Sequence, residues 1–170
     1  MLTRMNLAVA AAAAPLVPCG PFVREGLEAI RQDVRDELKW LEGLDAGALV
    51  SFMEQRCPAT LLLIAALGDK LSRAEAPEKE DLRTEIADLV SDRVYLYRDY
   101  ENYRQRASAD QAATCLRIFA LEDMKVLAEM DVVRLEGKAG KPADIAAKRR
   151  EIADLDNKID AQYDRLEKKP

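Results

Sequence analysis

The chain of 170 residues contains no histidine. This absence excludes nucleophiles that a histidine activates, histidine general bases, histidine-ligated zinc or haem, and the Glu-x-x-His ligands of di-iron helical bundles. The three cysteines, Cys19, Cys57 and Cys115, lie far apart without a Cys-x-x-Cys pair, which disfavours a zinc site, a thioredoxin-like site or a complete disulfide framework. We therefore expect no metal, no cofactor and no enzymatic activity, and we expect Cys57 and Cys115 to be buried free thiols.

Glycine and proline are also scarce, at seven residues each, and positive charge does not dominate, because the net charge is -5. Few turn-forming residues beside 49% hydrophobic and 34% charged residues are typical of a helical bundle. A chain of this length fits one domain with a sizeable core. Binding to phosphate backbones depends on Lys and Arg, so the acidic balance disfavours a nucleic-acid partner. The composition predicts an all-α fold.

Residues 1–20 form an Ala-rich N-terminal segment with one positive charge and an apolar run over 7–14. This order is that of a secretory signal peptide, while the run is shorter than the roughly 20 residues of a membrane-spanning helix. Cys19 resembles the lipid-modified cysteine of bacterial lipoproteins, except that Pro18 stands where that motif has a small residue. Three interpretations stay open: an export signal, an uncleaved arm that packs on the protein or a neighbour, and a membrane-active or organelle-targeting peptide. We expect membrane contact only through residues 1–19.

Hydrophobic residues recur three and four positions apart along the rest of the chain, which predicts about six amphipathic helices. Proline, glycine and capping residues place the breaks between them. These predicted breaks lie near Gly43, Pro58, Pro77, Asp110 and Gly140. The third helix, 59–73, contains an apolar run over 61–67 that covers every face, so we expect it to be the most buried element.

The last three predicted helices carry heptad-like seams. In the fourth helix, Arg93 interrupts a seam spaced alternately four and three residues apart. That seam comprises Leu82, Ile86, Leu89, Arg93, Leu96, Tyr100 and Tyr103. The fifth helix, 111–136, has a broad apolar face that includes Met124. The last helix, 143–168, sets isoleucine or leucine every seventh residue, with Lys148 and Gln162 at the partner positions. These thin seams predict a C-terminal antiparallel helical hairpin that is coiled-coil-like.

The predicted organisation therefore has three parts. The Ala-rich segment covers residues 1–20, and a helical bundle covers residues 21–136. Residues 137–170 are predicted to form a C-terminal coiled-coil helix that packs on residues 111–136.

Residues 93–106 interleave four of the five tyrosines with four arginines. Tyrosine and arginine are enriched at hot spots of protein interfaces, and they can also stack on single-stranded nucleic acid. A third interpretation is structural, with the tyrosines filling the helix seam. The candidate protein-interface residues are Arg93, Tyr97, Arg98, Tyr100, Tyr103 and Arg104.

These observations favour a non-enzymatic helical interaction or assembly protein. Such a protein would be a scaffold, an adaptor or a structural subunit of a larger complex, for example a phage particle or a secretion machine. It would bind a protein partner or copies of itself, in the cytoplasm or within a macromolecular assembly. One alternative is an exported protein of the bacterial periplasm or envelope, lipid-anchored through Cys19. Another is a helical-bundle enzyme that works without histidine.

Overall fold

The computed structural model describes residues 20–33 and 43–168. Within these residues the chain forms six helices and no strand, so the prediction of an all-α helical bundle is confirmed. The helices are α1 (Gly20–Asp33), α2 (Ala46–Arg56), α3 (Pro58–Arg73), α4 (Glu78–Gln105), α5 (Ala109–Gly137) and α6 (Pro142–Glu167). Cys19 and the predicted N-terminal segment up to residue 19 lie outside the described residues, as do residues 34–42, which precede the predicted break at Gly43.

The helix boundaries follow from local chemistry. Asp45 is the N-cap of α2, and its side chain accepts a hydrogen bond from the Gly47 N–H at 2.9 Å. Pro58 opens α3, where its fixed φ suits the first helical turn. The first turn of α4 carries Glu78, Glu80 and Asp81, whose negative charges stabilise the helix by interacting with the positive end of its dipole.

Two turns with a left-handed alanine join the three long helices. Ala107, with φ of 55°, follows α4, and the Ser108 N–H donates a hydrogen bond to the Tyr103 carbonyl at 2.9 Å. Ala139, with φ of 51°, follows α5, and the Gly140 N–H donates to the Leu135 carbonyl at 2.7 Å. Both hydrogen bonds span five residues and satisfy carbonyls that the helix leaves free, as in a Schellman motif.

The hydrophobic core lies among α1, α2, α3, α4 and α5. Its largest fully buried side chains are Phe119, Leu27, Leu49, Met53, Ile64, Ile118, Val23, Val90 and Val94. Helix α1 approaches α4 closely at Gly26, where an added Cβ would lie 2.9 Å from Val90 Cγ2. Helix α1 also approaches α3 closely at Gly68, where an added Cβ would lie 2.4 Å from the Phe22 ring.

The burial of α3 agrees with its prediction as the most buried element: six of its 16 residues are buried, a share that no other helix exceeds among the residues whose burial is described. The burial does not extend to every face, because Leu61, Ile64 and Gly68 are buried at helical spacing whereas Ala66 is exposed. Its run of apolar residues therefore covers one buried stripe and an outer face. Met124, which the sequence placed on the apolar face of the fifth helix, is 43% exposed.

Helix α6 lies along α5 in the opposite chain direction. Arg149 pairs with Glu136 at 2.8 Å near the turn, and Lys125 pairs with Asp156 at 2.6 Å farther along the two helices. Leu155 and Ile159 are the buried residues of α6, and the other members of its seven-residue repeat are half-buried. Whether this contact is a coiled coil stays a prediction.

No single helix in the described ranges is both long and apolar enough to span a membrane. Helices α2 and α3 together meet the length and composition test, but they are bent by 116° at the break between them. Leu49, Met53 and Ile64 of these two helices are fully buried in the core.

The prediction of buried thiols at Cys57 and Cys115 is confirmed, since both residues are 0% exposed. Burial raises the pKa of Cys57 to about 12, against the opposing field of Arg93. Burial likewise raises the pKa of Cys115 to about 11, with a contribution from the negative charge of Asp99. Both thiols are therefore held neutral and away from solvent.

In a Cys19→Ser variant we expect Cys57 and Cys115 to resist a maleimide or disulfide reagent near pH 8. Both thiols are buried away from the reagent, and their raised pKa values keep them protonated at this pH. In denaturant both should react, and intact-mass measurement would count two adducts. Rapid labelling of the folded protein would contradict the core packing.

Candidate functional site

A charged side chain lies at the centre of the bundle. The Arg93 side chain, 4% exposed, leaves α4 and pairs with Glu122 on α5. A second guanidinium nitrogen donates a hydrogen bond to the Thr60 hydroxyl on α3 at 3.1 Å. The Arg93 Nε has no hydrogen-bond partner among the described residues. One guanidinium therefore joins three helices.

Asp123, next to Glu122, holds the start of α3. Its Oδ2 accepts a hydrogen bond from the Ala59 N–H at 3.0 Å, and its Oδ1 accepts one from the Thr60 N–H at 2.8 Å. The Thr60 hydroxyl also donates to Asp123 Oδ1 at 2.9 Å. The N-cap position of α3, Cys57, supplies no side-chain hydrogen bond. Asp123 thus acts as an N-cap donated by another helix, where its charge also favours the helix dipole.

These contacts form one continuous chain of hydrogen bonds and charges, which we call the Arg93 network: Thr60, Arg93, Glu122, Asp123 and Tyr163. The Thr60 hydroxyl accepts from Arg93 and donates to Asp123, so it connects the cation to the second carboxylate. Tyr163 of α6 donates its phenolic hydrogen to Glu122 at 3.2 Å. The network therefore extends from α3 through α4 and α5 to α6.

Burial governs the protonation of the outer part of the Arg93 network. The loss of solvent raises the pKa of the Glu122 carboxyl, while Arg93 and the Tyr163 hydroxyl oppose that rise. The pKa of Tyr163 is raised as well, first by burial and then by the neighbouring negative charge of Glu122. Tyr163 is therefore a neutral hydrogen-bond donor near neutral pH.

An open acidic cleft borders the Arg93 network. It is lined by Asp92, Tyr95, Leu96, Asp99, Glu122 and Tyr163. The pKa of the Asp92 carboxyl is raised, chiefly because burial removes solvent from it. The positive charge of Arg93 opposes this rise, and the negative charge of Asp88 adds to it. Glu122 is already engaged by Arg93 and Tyr163, and Asp99 forms an ion pair with Arg98 at 2.9 Å.

No group of three or more histidine, cysteine, aspartate or glutamate residues within the described ranges is arranged to hold a metal ion. In the cleft, Arg93 and Arg98 of the same chain neutralise Glu122 and Asp99. The arrangement can orient helices and balance buried charge.

Of the six candidate interface residues, the structure places Arg93 inside the fold, where its side chain does not reach the surface. Tyr97 and Tyr100 are brought together by Phe52 of α2, with ring centroids 4.9 Å and 5.4 Å from the Phe52 ring. Phe52 in turn contacts the buried Phe119 edge-on at 4.9 Å. These tyrosines therefore extend the core outward.

The other three candidates stay on the flanks of α4. Arg98 pairs with Asp99 and lies 5.6 Å from the centre of the Tyr95 ring. Arg104 pairs with Glu101 at 2.8 Å on the same helix, and Tyr103 is half-buried against the core. The charge of Arg104 also acts on the hydroxyls of Tyr97 and Tyr100.

The sequence did not reveal Thr60, Glu122, Asp123 or Tyr163 as members of a site. One signal was present: Arg93 on an apolar seam requires a buried anion, since an unpaired charge is not tolerated there. Which of the many carboxylates would meet it depends on how the helices are rotated, and local spacing does not encode that.

Replacing Arg93 tests the network. Arg93→Met keeps much of the volume but leaves the Glu122 carboxyl buried without its cation, so we expect a loss of about 3–5 kcal/mol in the free energy of unfolding. Urea unfolding followed by circular dichroism measures this loss. Arg104→Met, which breaks an exposed pair within one helix, should leave the urea midpoint unchanged. Equal midpoints for Arg93→Met and the wild type would contradict the network.

The cap supplied by Asp123 makes a second prediction. Asp123→Ala removes the acceptor of two backbone donors and one hydroxyl, so we expect it to lower the free energy of unfolding by at least about 2 kcal/mol. Asp45→Ala, which removes the exposed N-cap of α2, is the matched control and should have a smaller effect of about 1 kcal/mol. The reverse order in urea unfolding would show that Asp123 does not hold α3.

Comparisons with known proteins do not assign the chain to a family. No family model matches it, and neither the curated proteins nor the solved structures give a match. The function is therefore inferred from the geometry of the chain itself.

Proposed function

We propose that the chain is a non-enzymatic helical interaction or assembly protein whose binding face is formed by α5 and α6. The observation that carries this proposal is the exposure of α6. This helix has 26 residues, of which Leu155 and Ile159 are buried. It packs chiefly on α5 among the described helices. Most of a long helix is thus left uncovered and available to a partner helix.

The engagement of the buried charges supports a non-catalytic role. Arg93, Glu122 and Asp123 would be the first candidates for acid, base or charge-stabilising groups, because they are charged side chains that the fold largely buries. Each of them is instead bonded to another group of the chain or to the start of α3. Structural ion-pair networks show the same pattern of buried charge.

The packing of α5 on α6 supports a coiled-coil-like association. Leu155 and Ile159 lie four residues apart on the buried side. Two ion pairs between the helices, Lys125 with Asp156 and Arg149 with Glu136, flank this apolar line. Flanking ion pairs beside a narrow apolar seam are typical of coiled coils, where they set orientation and partner.

The tyrosines and arginines of α4 contribute less to the proposal. Tyr97 and Tyr100 pack on Phe52, and Arg98 and Arg104 pair with acidic neighbours. We therefore propose α5 and α6 as the principal binding face, ahead of residues 93–106.

Photo-crosslinking from defined positions tests this function. A benzophenone amino acid at the exposed positions Ala147 or Ala161 on α6 should give a discrete covalent product in cells of the source organism. The same group at Ser51 on α2 or Thr84 on α4, both also exposed, should give none or far less. Gel mobility and mass spectrometry identify the product.

Equal yields from all four positions, or no product from α6, would contradict the proposed binding face. A product that contains a second protein, or a second copy of the chain, would support it. Folding of each labelled variant is checked by circular dichroism, so that a misfolded chain is not counted.

A further inference from the structure

An open groove of about 440 Å³ runs along the α5–α6 pair. Met124 of α5, together with Ala147 and Leu155 of α6, forms its apolar part. Leu155 is 3% exposed, whereas Met124 is 43% exposed and stands at the groove rather than beneath it. An exposed methionine adapts readily to an opposing apolar surface.

Charges of both signs border this groove in equal number. They are Arg150 and Lys158, and Glu151 and Asp154. Glu151 pairs with Lys148 at 2.7 Å on its own helix. Asp154 and Lys158, although four residues apart on α6, form no ion pair with each other or with another described residue. The groove thus presents an unpaired anion beside an unpaired cation.

This pattern is complementary to itself. In a contact with two-fold symmetry, residue i of one copy meets residue j of the other, and j meets i. Two α6 helices that cross in opposite directions, with the axis near residue 156, place each Asp154 opposite Lys158 of the other copy. Met124 lines the groove next to Lys125, which pairs with Asp156, so the two Met124 side chains would come close to the axis.

We infer that this groove is a self-association surface that binds a second copy of the chain in a two-fold dimer. The α5–α6 pairs of the two copies then form a four-helix arrangement, in which Met124 is covered and Asp154 and Lys158 are paired across the interface. The inference rests on the proposed function and names its partner. A groove with no excess of either charge favours a surface of the same mixed pattern over a strongly acidic or basic partner.

Sedimentation equilibrium of the full chain over a range of concentrations tests the inference. The wild-type mass should rise with concentration toward twice the 19.0 kDa of one chain. Lys158→Asp sets like charges opposite each other at both symmetry-related pairs, so we expect the dimer dissociation constant to rise at least about tenfold. The double variant Asp154→Lys with Lys158→Asp exchanges the two charges and should restore most of the affinity.

Arg106→Asp is the matched control, because it makes the same change in net charge at an exposed position just after α4. It should alter the dissociation constant by less than about twofold. A wild-type chain that stays monomeric would overturn the inference. So would a dimer that ignores Lys158→Asp, or one that the charge exchange fails to restore.

The crosslinking and sedimentation results separate the two proposals. If Ala147 and Ala161 crosslink to a different protein while the purified chain is monomeric, the proposed function stands and self-association is wrong. If neither position gives a product and the chain is monomeric, both are wrong.

Discussion

The buried guanidinium of Arg93 is the constraint on which the packing of the long helices depends. A charge with almost no solvent contact must be met by an anion and by hydrogen-bond acceptors, because otherwise the fold would lose several kcal/mol. Glu122 and Thr60 meet it from two other helices, and Asp123 holds Thr60 together with the start of α3. The rotation of α5 about its own axis is thereby fixed, since Glu122 and Asp123 must both face inward.

This rotation has a consequence at the surface. Successive residues of a helix point about 100° apart, so turning Glu122 and Asp123 toward their partners turns the next residue away from the core. Met124 is accordingly 43% exposed while Asp123 is 9% exposed. The burial of Asp123 and the exposure of Met124 both follow from this rotation of α5. The interior charges thus place Met124 in the groove that we propose as a self-association surface.

The helices can be predicted from the sequence, whereas the partners of the buried charges cannot. Apolar spacing and the positions of Pro58, Pro77 and Gly140 were sufficient to predict the helices, because these signals act within a few residues. The apolar line of α4 also revealed Arg93 as an interruption. Its role was wrongly assigned to a surface, since the partners come from residues 29 and 33 positions away. Met124 was predicted on the apolar face because methionine is hydrophobic. The orientation of this part of α5 depends instead on the hydrogen bonds of Asp123 to the start of α3, and those partners are more than 60 residues away in the sequence.

Hydrogen exchange at the start of α3 tests the central claim most directly. The first amides of a helix have no acceptor within that helix and normally exchange quickly. In this structure the Ala59 and Thr60 amides donate to Asp123 inside the bundle. These two amides should therefore exchange as slowly as those of the buried core, such as Ile64, when followed by NMR or mass spectrometry. Exchange at the rate of an exposed helix end would contradict it.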